Sequence, residues 1–276
     1  MKKILVILLT LLGLGQKPAL KIAPTLSPTA TITPSPTITL TPTPKPLTFE
    51  EMNQLYGPCA KVSVLMYHHV KNFEEAKANK KDKLTVSPEM FRKQLEYLRD
   101  RGYRVAGINE LVNFFESDGE LLSKTVLLSF DDAYEDVYSV AWPILKEFGY
   151  TAVVFTPTGL VENPNYLSWQ KILEMGNGGI YFGNHTWSHQ GSGGSGEKLT
   201  KEIETAGIQL SERGLDSLKI FAYPYGTTNM TEKQILENKG YRLAFTTKRG
   251  NILCQKQRFQ LPRIRVGNSQ LSDYGL

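Results

Sequence analysis

The sequence predicts an α/β protein folded as a distorted (β/α) barrel of seven to eight parallel strands. Eight apolar, β-branched runs are separated by amphipathic helical segments, and repeated strand–helix order is typical of a parallel sheet. Several runs show little polar–apolar alternation, as expected of strands that are covered on both faces. Because so many units follow one another after residue 60, a closed barrel is favoured over an open sheet.

The predicted strands are runs rich in Val, Ile, Leu and aromatic residues, at 62–70, 103–108, 125–130, 151–156, 179–185, 220–225, 243–247 and 261–266. Each helix between them has an apolar stripe or a terminating glycine. The helix over 88–102 places Phe91, Leu95 and Leu98 on one stripe. The helix over 134–149 stops at Gly149. Pro143 predicts a kink inside that helix. The other helices are predicted over 110–117, 168–176, 198–214 and 231–240.

The N-terminal segment predicts export. Lys2 and Lys3 precede a run of 12 mainly apolar residues, which is short for a membrane span. The run suits a signal peptide over 1–15, with an uncleaved N-terminal anchor as the alternative. Residues 16–46 are a predicted disordered linker rich in Thr and Pro, a composition that favours an extended chain over a core. One catalytic domain is therefore predicted over 47–276, secreted or held at the cell surface.

The net charge of +5 belongs to this leader. Residues 1–46 hold five lysines and no acidic residue, which leaves 27 basic and 27 acidic residues in 47–276. A neutral domain gives no reason to expect a nucleic-acid partner. The two cysteines, Cys59 and Cys254, could form a disulfide outside the cytosol, but the sequence does not decide whether they do.

Two adjacent carboxylates, Asp131 and Asp132, follow the predicted strand 125–130. In a parallel barrel the carboxyl ends of the strands share one face, where active sites form. One carboxylate of such a pair can bind a metal while its neighbour accepts a proton, and a nearby cation offsets their repulsion. Asp132 could instead cap the helix that follows.

All four histidines lie in two short clusters, His68–His69 and His185–His189. The i, i+4 spacing of His185 and His189 would place both imidazoles on one side of a helical turn, where they can share a cation. With Asp132 they make three protein ligands and leave positions open for water and substrate, as in catalytic metal sites. One divalent ion is predicted, with zinc favoured and cobalt or nickel as alternatives.

Further candidates lie near these clusters. His68 has the chemistry of a general acid, whereas His69 is assigned a supporting or surface role. The turn at Tyr225, between Pro224 and Gly226, can aim a backbone N–H into a cleft, although it is also simply a turn after a strand. Three aromatic side chains are candidates for lining an acyl pocket or stacking on a sugar face, although such residues more often belong to the core: Trp169, Trp187 and Tyr223.

Taken together, these segments resemble the polysaccharide deacetylases, the carbohydrate esterase family 4 that shares the nodulation-deacetylase homology domain. SFDD at 129–132 is similar to that family's T-F-D-D, HTWSH at 185–189 to its H-T-x-x-H, and AYPYG at 222–226 to its R-x-P-Y-G. The resemblance covers roughly residues 60–270 and implies the same barrel.

The resemblance also implies roles for the site residues. Asp131 would be the catalytic base, and the backbone N–H of Tyr225 would stabilise the oxyanion. The metal ligands would be Asp132, His185 and His189.

The chain departs from the family pattern at three positions. Ser129 replaces Thr, Ala133 replaces Gly, and Ala222 replaces the arginine that orients the catalytic base. We expect Arg263 or Arg265, on the last strand, to supply that guanidinium instead.

The usual C-terminal L-x-H histidine is also missing, because no histidine follows His189. In the branch that acts on poly-β-1,6-N-acetylglucosamine the acid histidine comes from the N-terminal strand, and MYHHV is similar to that setting, with His68 in the matching place. The resemblance therefore favours an exopolysaccharide N-deacetylase over enzymes of peptidoglycan, chitin-type oligomers or xylan. The alternatives are an O-acetyl esterase, an inactive carbohydrate-binding relative and a structural surface protein. A monomer is expected, associated with the cell envelope through its N-terminal segment.

Overall fold

The predicted alternation of strands and helices folds into a closed barrel. The computed structural model describes residues 45–117 and 119–276. Its strands are β1 (Cys59–Lys61), β2 (Ser63–Tyr67), β3 (His69–Val70), β4 (Thr85–Val86), β5 (Arg104–Val105), β6 (Thr125–Asp131), β7 (Val153–Thr156), β8 (Tyr181–Asn184), β9 (Ile220–Ala222), β10 (Leu243–Arg249), β11 (Ile252–Cys254) and β12 (Leu261–Arg265). Its α-helices are α1 (Phe49–Tyr56), α2 (Phe73–Ala78), α3 (Pro88–Asp100), α4 (Ile108–Glu116), α5 (Trp142–Phe148), α6 (Trp169–Asn177), α7 (Gly196–Ser211) and α8 (Met230–Asn238).

Seven parallel strands close the ring in the order β2-β12-β10-β9-β8-β7-β6, and β6 pairs with β2 to complete it. The short strand β5 adds an eighth parallel pairing, with Arg104 opposite Thr125 on β6. The eight predicted apolar runs coincide with these eight strands. The predicted barrel of seven to eight parallel strands is therefore confirmed.

Alternation along β6 decides which side chains enter the barrel. Leu127 belongs to the apolar cluster of the barrel interior, whereas Leu128 and Phe130 pack in the cluster between the strands and the helices. Because successive side chains of a strand point to opposite faces, Ser129 and Asp131 share the interior side with Leu127. The acidic end of the strand is thereby directed into the mouth of the barrel.

The helix α3 forms for local reasons that the sequence displays. Ser87 caps its first turn by accepting a hydrogen bond from the Met90 N–H, and Pro88 occupies the first helical position. The predicted stripe of Phe91, Leu95 and Leu98 is fully buried against the barrel. This burial holds the helix on the sheet.

The predicted helix over 134–149 is not a single regular helix. A wide, π-helical turn over Val137–Ala141 precedes α5, and Pro143 lies in the first turn of α5. Gly149, with φ 66°, ends the helix in the left-handed conformation. The irregularity therefore lies before the proline rather than as a kink at it.

The antiparallel pair of β1 and β11 joins the start of the domain to its C-terminal part. Cys59 lies opposite Cys254 in this pair, and the two form a disulfide, so the structure settles a pairing that the sequence left open. The predicted signal or anchor over 1–15 and nearly all of the linker over 16–46 lie outside the described residues. Among residues 45–117 and 119–276, no helix is long and apolar enough to cross a membrane.

Candidate active site

Asp131 is buried at the mouth of the barrel and paired with Arg263. Its two carboxylate oxygens accept hydrogen bonds from the two terminal guanidinium nitrogens, at 2.6 and 2.7 Å. Arg263 comes from β12 and is fully buried. Burial opposes ionisation, but the Arg263 guanidinium holds the pKa of Asp131 below its usual value. Asp131 is therefore an oriented carboxylate that stays charged.

Arg263 is itself fixed on several sides. Its Nε donates to the Thr246 carbonyl at 3.0 Å, and one terminal nitrogen also approaches the Ser129 hydroxyl at 3.3 Å. Ser129 in turn donates to the Leu65 carbonyl at 2.9 Å. The guanidinium predicted to replace the one missing at Ala222 is thus present and held rigidly.

Arg265 does not share this task. It lies two residues farther along β12, is exposed, and forms no ion pair with a carboxylate in the described part of the chain. Its strand position pairs with Met66 on β2, closer to solvent than Arg263. Of the two arginines proposed from the sequence, Arg263 alone contacts Asp131.

Asp132 points away from Asp131 because the backbone turns sharply at this residue, with φ 74°. Its Oδ1 lies 3.4 Å from Nε2 of His185 and 3.1 Å from Nε2 of His189. This oxygen is buried and accepts no hydrogen bond among the described residues. Helical backbone begins at Glu135, so Tyr134 and not Asp132 precedes the first helical residue, and Asp132 does not act as the helix cap.

His185 and His189 converge on Asp132 through a loop rather than through a helical turn. Residues 185–189 are not helical, and Thr186 and His189 have φ values of 64° and 61°. The predicted shared face was correct in outcome, but the helix invoked for it is wrong. His185 donates its Nδ1–H to the Ala222 carbonyl at 2.7 Å, which leaves Nε2 as the free lone pair.

These three side chains suit a cation. One ligand atom from each of Asp132, His185 and His189 lies within 4.8 Å of the others. A buried carboxylate oxygen without a donor is costly unless a positive charge satisfies it. Two imidazole nitrogens and one carboxylate oxygen are ligands that zinc and similar divalent ions accept. The donor set therefore fits one divalent metal ion.

The other two histidines separate. His69 donates its Nδ1–H to the Asp136 carboxylate at 2.7 Å and stacks on Tyr134 with ring centroids 3.8 Å apart. It is buried, so it has a supporting position rather than a surface one. His68 lies just beyond β2, and burial lowers its pKa to about 4, an effect that Asp131 and Asp132 partly offset.

Tyr225 occupies the turn after β9. Its backbone is left-handed, with φ 63°, and its carbonyl accepts a hydrogen bond from the Thr247 hydroxyl at 3.3 Å. The following Gly226 also has a positive φ, and a Cβ there would lie 2.0 Å from the Thr247 hydroxyl oxygen. The ring of Tyr225 packs edge-on against His189 at 4.7 Å. The turn is thus fixed beside the candidate metal site.

Comparison with known proteins agrees with this geometry. The family model described as polysaccharide deacetylase matches residues 118–244, which contain the aspartate pair and both histidines of the candidate metal site. The chain is 26% identical over 248 residues to the poly-beta-1,6-N-acetyl-D-glucosamine N-deacetylase of Staphylococcus aureus, covering 82% of each chain. The chain belongs to the polysaccharide deacetylase family.

Solved structures show the same relationship for this deacetylase. The Streptococcus pyogenes deacetylase PplD, solved in complex with acetate, is 29% identical with a TM-score of 0.72, over 78% of this chain and 98% of that one. The structure of IcaB from Ammonifex degensii is 28% identical with a TM-score of 0.66, over 75% and 91%. The enzyme is therefore a polysaccharide deacetylase, a hydrolase.

The predicted sugar-binding aromatic residues fall into two groups. Trp187 is 43% exposed and lies in the loop between His185 and His189 of the deacetylase, so it can still meet a substrate. Tyr223 is fully buried, and its hydroxyl donates to the Phe259 carbonyl, which places it in the core. Trp169 packs against Arg213 at 4.0 Å and joins the cluster beneath the helices. Tyr223 and Trp169 are therefore packing residues rather than proposed substrate contacts.

Sequence reasoning missed three residues that surround the site. Burial, together with the nearby Asp132 carboxylate, raises the pKa of Tyr134. Asp136 joins His69 and the Val70 N–H, and its position four residues after Asp132 was a usable signal. Glu202, on α7, had no signal in the sequence, because its partners are backbone groups of a loop that only the fold brings near.

Proposed function

We propose that this deacetylase removes N-acetyl groups from N-acetylglucosamine residues of an extracellular polysaccharide, with a poly-β-1,6-linked polymer favoured. The observation that carries the proposal is the division of labour between two adjacent aspartates. Asp131 is ionised and oriented by Arg263, whereas Asp132 offers an unpartnered oxygen beside two imidazole nitrogens. This is the arrangement that a metal-assisted hydrolysis requires.

Asp132, His185 and His189 would hold one divalent cation, with zinc favoured. When bound there, the cation supplies Lewis acidity toward the acetyl carbonyl and lowers the pKa of a water molecule. The hydrogen bond from His185 to the Ala222 carbonyl keeps its Nε2 directed at the site. Because Asp132 and His185 are buried, their electrostatic attraction for a bound cation would be stronger than at an exposed site.

Asp131 acts as the base. It accepts a proton from the water that attacks the acetyl carbon, and the two hydrogen bonds from Arg263 keep its oxygens in one orientation. A bidentate guanidinium fixes a carboxylate plane better than a single point charge does. This pairing replaces the arginine that the chain lacks at Ala222.

Two further groups complete the reaction. The Tyr225 backbone N–H, fixed by its strained turn, donates a hydrogen bond to the oxyanion that develops on the carbonyl oxygen. His68 donates a proton to the sugar nitrogen as the C–N bond breaks, giving acetate and the free amine.

The polymer assignment has two supports. The acid histidine comes from the first barrel strand, in MYHHV, and no histidine follows His189. One relative is named as acting on poly-beta-1,6-N-acetyl-D-glucosamine. The export signal and Thr/Pro-rich tether would place the domain outside the cell, in association with the envelope. The aromatic side chains of Tyr225 and Trp187, which are 70% and 43% exposed, are available to contact sugar rings.

Acetate release from defined oligomers tests the proposal. We expect turnover of β-1,6-linked N-acetylglucosamine oligomers, loss of turnover with a chelator, and recovery with zinc, cobalt or nickel. Faster release from β-1,4-linked oligomers or peptidoglycan fragments would move the substrate to those polymers. Release from acetylated xylan alone would identify an O-acetyl esterase, and binding without release would identify an inactive carbohydrate-binding relative.

A further inference from the structure

We propose that Glu202 is a positioning residue that fixes the metal-ligand loop, residues 185–189, so that His189 reaches the site beside Asp132. The inference rests on the proposed metal-dependent function and adds a residue to it. Glu202 lies on α7, outside every motif of the family resemblance, and its hydrogen-bond partners are Trp187 and Ser188.

Both oxygens of Glu202 are engaged by this loop. Oε2 accepts hydrogen bonds from the N–H groups of Trp187, at 3.1 Å, and Ser188, at 2.8 Å. Oε1 accepts a third from the Ser188 hydroxyl at 2.8 Å. Glu202 itself is only 7% exposed. A nearly buried carboxylate that accepts backbone N–H groups forms stronger bonds than a neutral acceptor does. The three bonds therefore hold the middle of the metal-ligand loop.

The loop needs such support because its backbone is strained. Thr186 and His189 both adopt left-handed conformations, with φ values of 64° and 61°. For residues other than glycine, each such conformation costs on the order of 1 kcal/mol or more and persists only where the surroundings hold it. Without Glu202, the loop would relax toward conformations that carry His189 away from Asp132.

The two ligand histidines depend on Glu202 to different degrees. His185 is anchored by its own hydrogen bond to the Ala222 carbonyl. No comparable hydrogen bond to the ring of His189 is present among the described residues, where it contacts Asp132 and packs against Tyr225. The geometry of His189 is therefore set mainly by the backbone that Glu202 holds.

Three variants of the full chain test this role. Glu202→Ala should weaken zinc binding about 10–100-fold, the usual cost of losing a group that orients a metal ligand. Glu202→Gln should retain most of the affinity, since its amide oxygen can accept the two N–H groups while its NH2 donates to the Ser188 hydroxyl. Glu204→Ala is the matched control, because Glu204 is a partly exposed carboxylate on the same helix and pairs with Lys239 rather than with the loop.

The readout is metal affinity by competition with a chromophoric chelator, together with the visible spectrum of the cobalt-loaded protein. The unfolding temperatures of the metal-free Glu202→Ala variant and of the metal-free parent should be close. A changed cobalt spectrum in such a variant would then indicate a positioning role rather than a general loss of stability. If Glu202→Ala fails to fold, Ser188→Ala removes one of the three bonds and should shift affinity in the same direction by less.

Wild-type affinity and spectrum in Glu202→Ala, or in Ser188→Ala where that variant stands in for it, would overturn the inference. An equal loss in Glu204→Ala would overturn it too. If the parent protein binds neither zinc nor cobalt nor nickel, the proposed function itself is refuted. Failure of the proposed function is therefore distinguishable from failure of the role of Glu202.

Discussion

The chain contains two pairs of histidines, and the side chains of one pair converge whereas those of the other diverge. His185 and His189 turn their Nε2 atoms toward one oxygen of Asp132, at 3.4 and 3.1 Å. His68 and His69 diverge: His68 lies by the aspartate pair, while His69 is bound to Asp136 and stacked on Tyr134. Only His185 and His189 are arranged so that both could bind the same cation.

The difference follows from the backbone between the histidines. Adjacent residues at the end of a strand point to opposite sides, so His68 and His69 cannot meet at one point. A five-residue loop with two left-handed residues brings His185 and His189 back to the same side. Spacing in the sequence therefore gave the right partners, while loop geometry made the convergence.

The largest expected effect breaks the convergent pair. Asp132→Ala or His185→Ala should abolish metal binding and reduce acetate release to the detection limit, because either change removes one of three ligands from an open site. Metal content after dialysis and acetate release measure this. His69→Ala is the matched control, since it should retain the metal. Full activity with bound metal in His185→Ala would contradict the site.

Within the divergent pair, replacing His68 should reduce turnover without loss of metal. His68→Ala is expected to reduce kcat about 10²–10⁴-fold, the usual contribution of a general acid, with metal content unchanged. A parallel measurement on His69→Ala should show a much smaller loss of kcat. Unchanged turnover in His68→Ala would move the acid role to another group.

Arg263 separates orientation of the base from metal binding. Arg263→Lys keeps the positive charge beside Asp131 but removes the bidentate hydrogen bonds, so we expect kcat to fall roughly 10²-fold through misplacement of the base. Zinc affinity should change little, because Arg263 contacts Asp131 and not the ligands. Arg265→Lys, on the same strand, is the control. Equal losses in both variants would argue against the assignment to Arg263.

Asp136 should affect stability more than chemistry. Its carboxylate binds the His69 ring and the Val70 N–H at 2.7 and 2.9 Å. Asp136→Ala leaves these partly buried groups without a partner, so the free energy of unfolding should fall by about 1–3 kcal/mol. Denaturant unfolding measures this loss. A variant that keeps its stability but loses its metal would link Asp136 to the ligand site instead.

Glu232 gives the smallest effect and contrasts with Asp132. Oδ1 of Asp132 and both carboxylate oxygens of Glu232 are buried without hydrogen-bond donors among the described residues, but Glu232 is not part of the three-residue group of candidate ligands. Burial raises the pKa of Glu232 from its ordinary 4.5 to about 7. The folded protein therefore keeps a proton that the unfolded chain releases between these values, and stability falls as the pH rises from 4.5 to 7.

Glu232→Gln removes this titration. Between pH 4.5 and pH 8, we expect the free energy of unfolding of the variant to rise relative to that of the parent by on the order of 1–2 kcal/mol. Urea unfolding at both values checks the difference. Glu237→Gln, at an exposed position of the same helix, should show none of it. If the difference in unfolding free energy between Glu232→Gln and the parent does not depend on pH, the pKa of Glu232 is not raised.

Local patterns were sufficient for much of the architecture. The eight apolar runs and the buried stripe of Phe91, Leu95 and Leu98 are periodic signals, and the barrel followed from their order. The candidate ligands were found because their residue types are chemically selective. Aromatic residues carry no such signal, and Tyr223 was placed in the core by packing alone.

The sequence by itself determined the succession of strands and helices along the chain, the position of the aspartate pair at a strand end and the set of metal-ligand candidates, because these depend on periodicity and side-chain chemistry. The tertiary structure decided that Arg263 and not Arg265 orients Asp131, that Cys59 pairs with Cys254, and that Glu202 supports the metal-ligand loop. These contacts join residues far apart in the chain. Their geometry is set by strand register and loop shape, which no local pattern encodes.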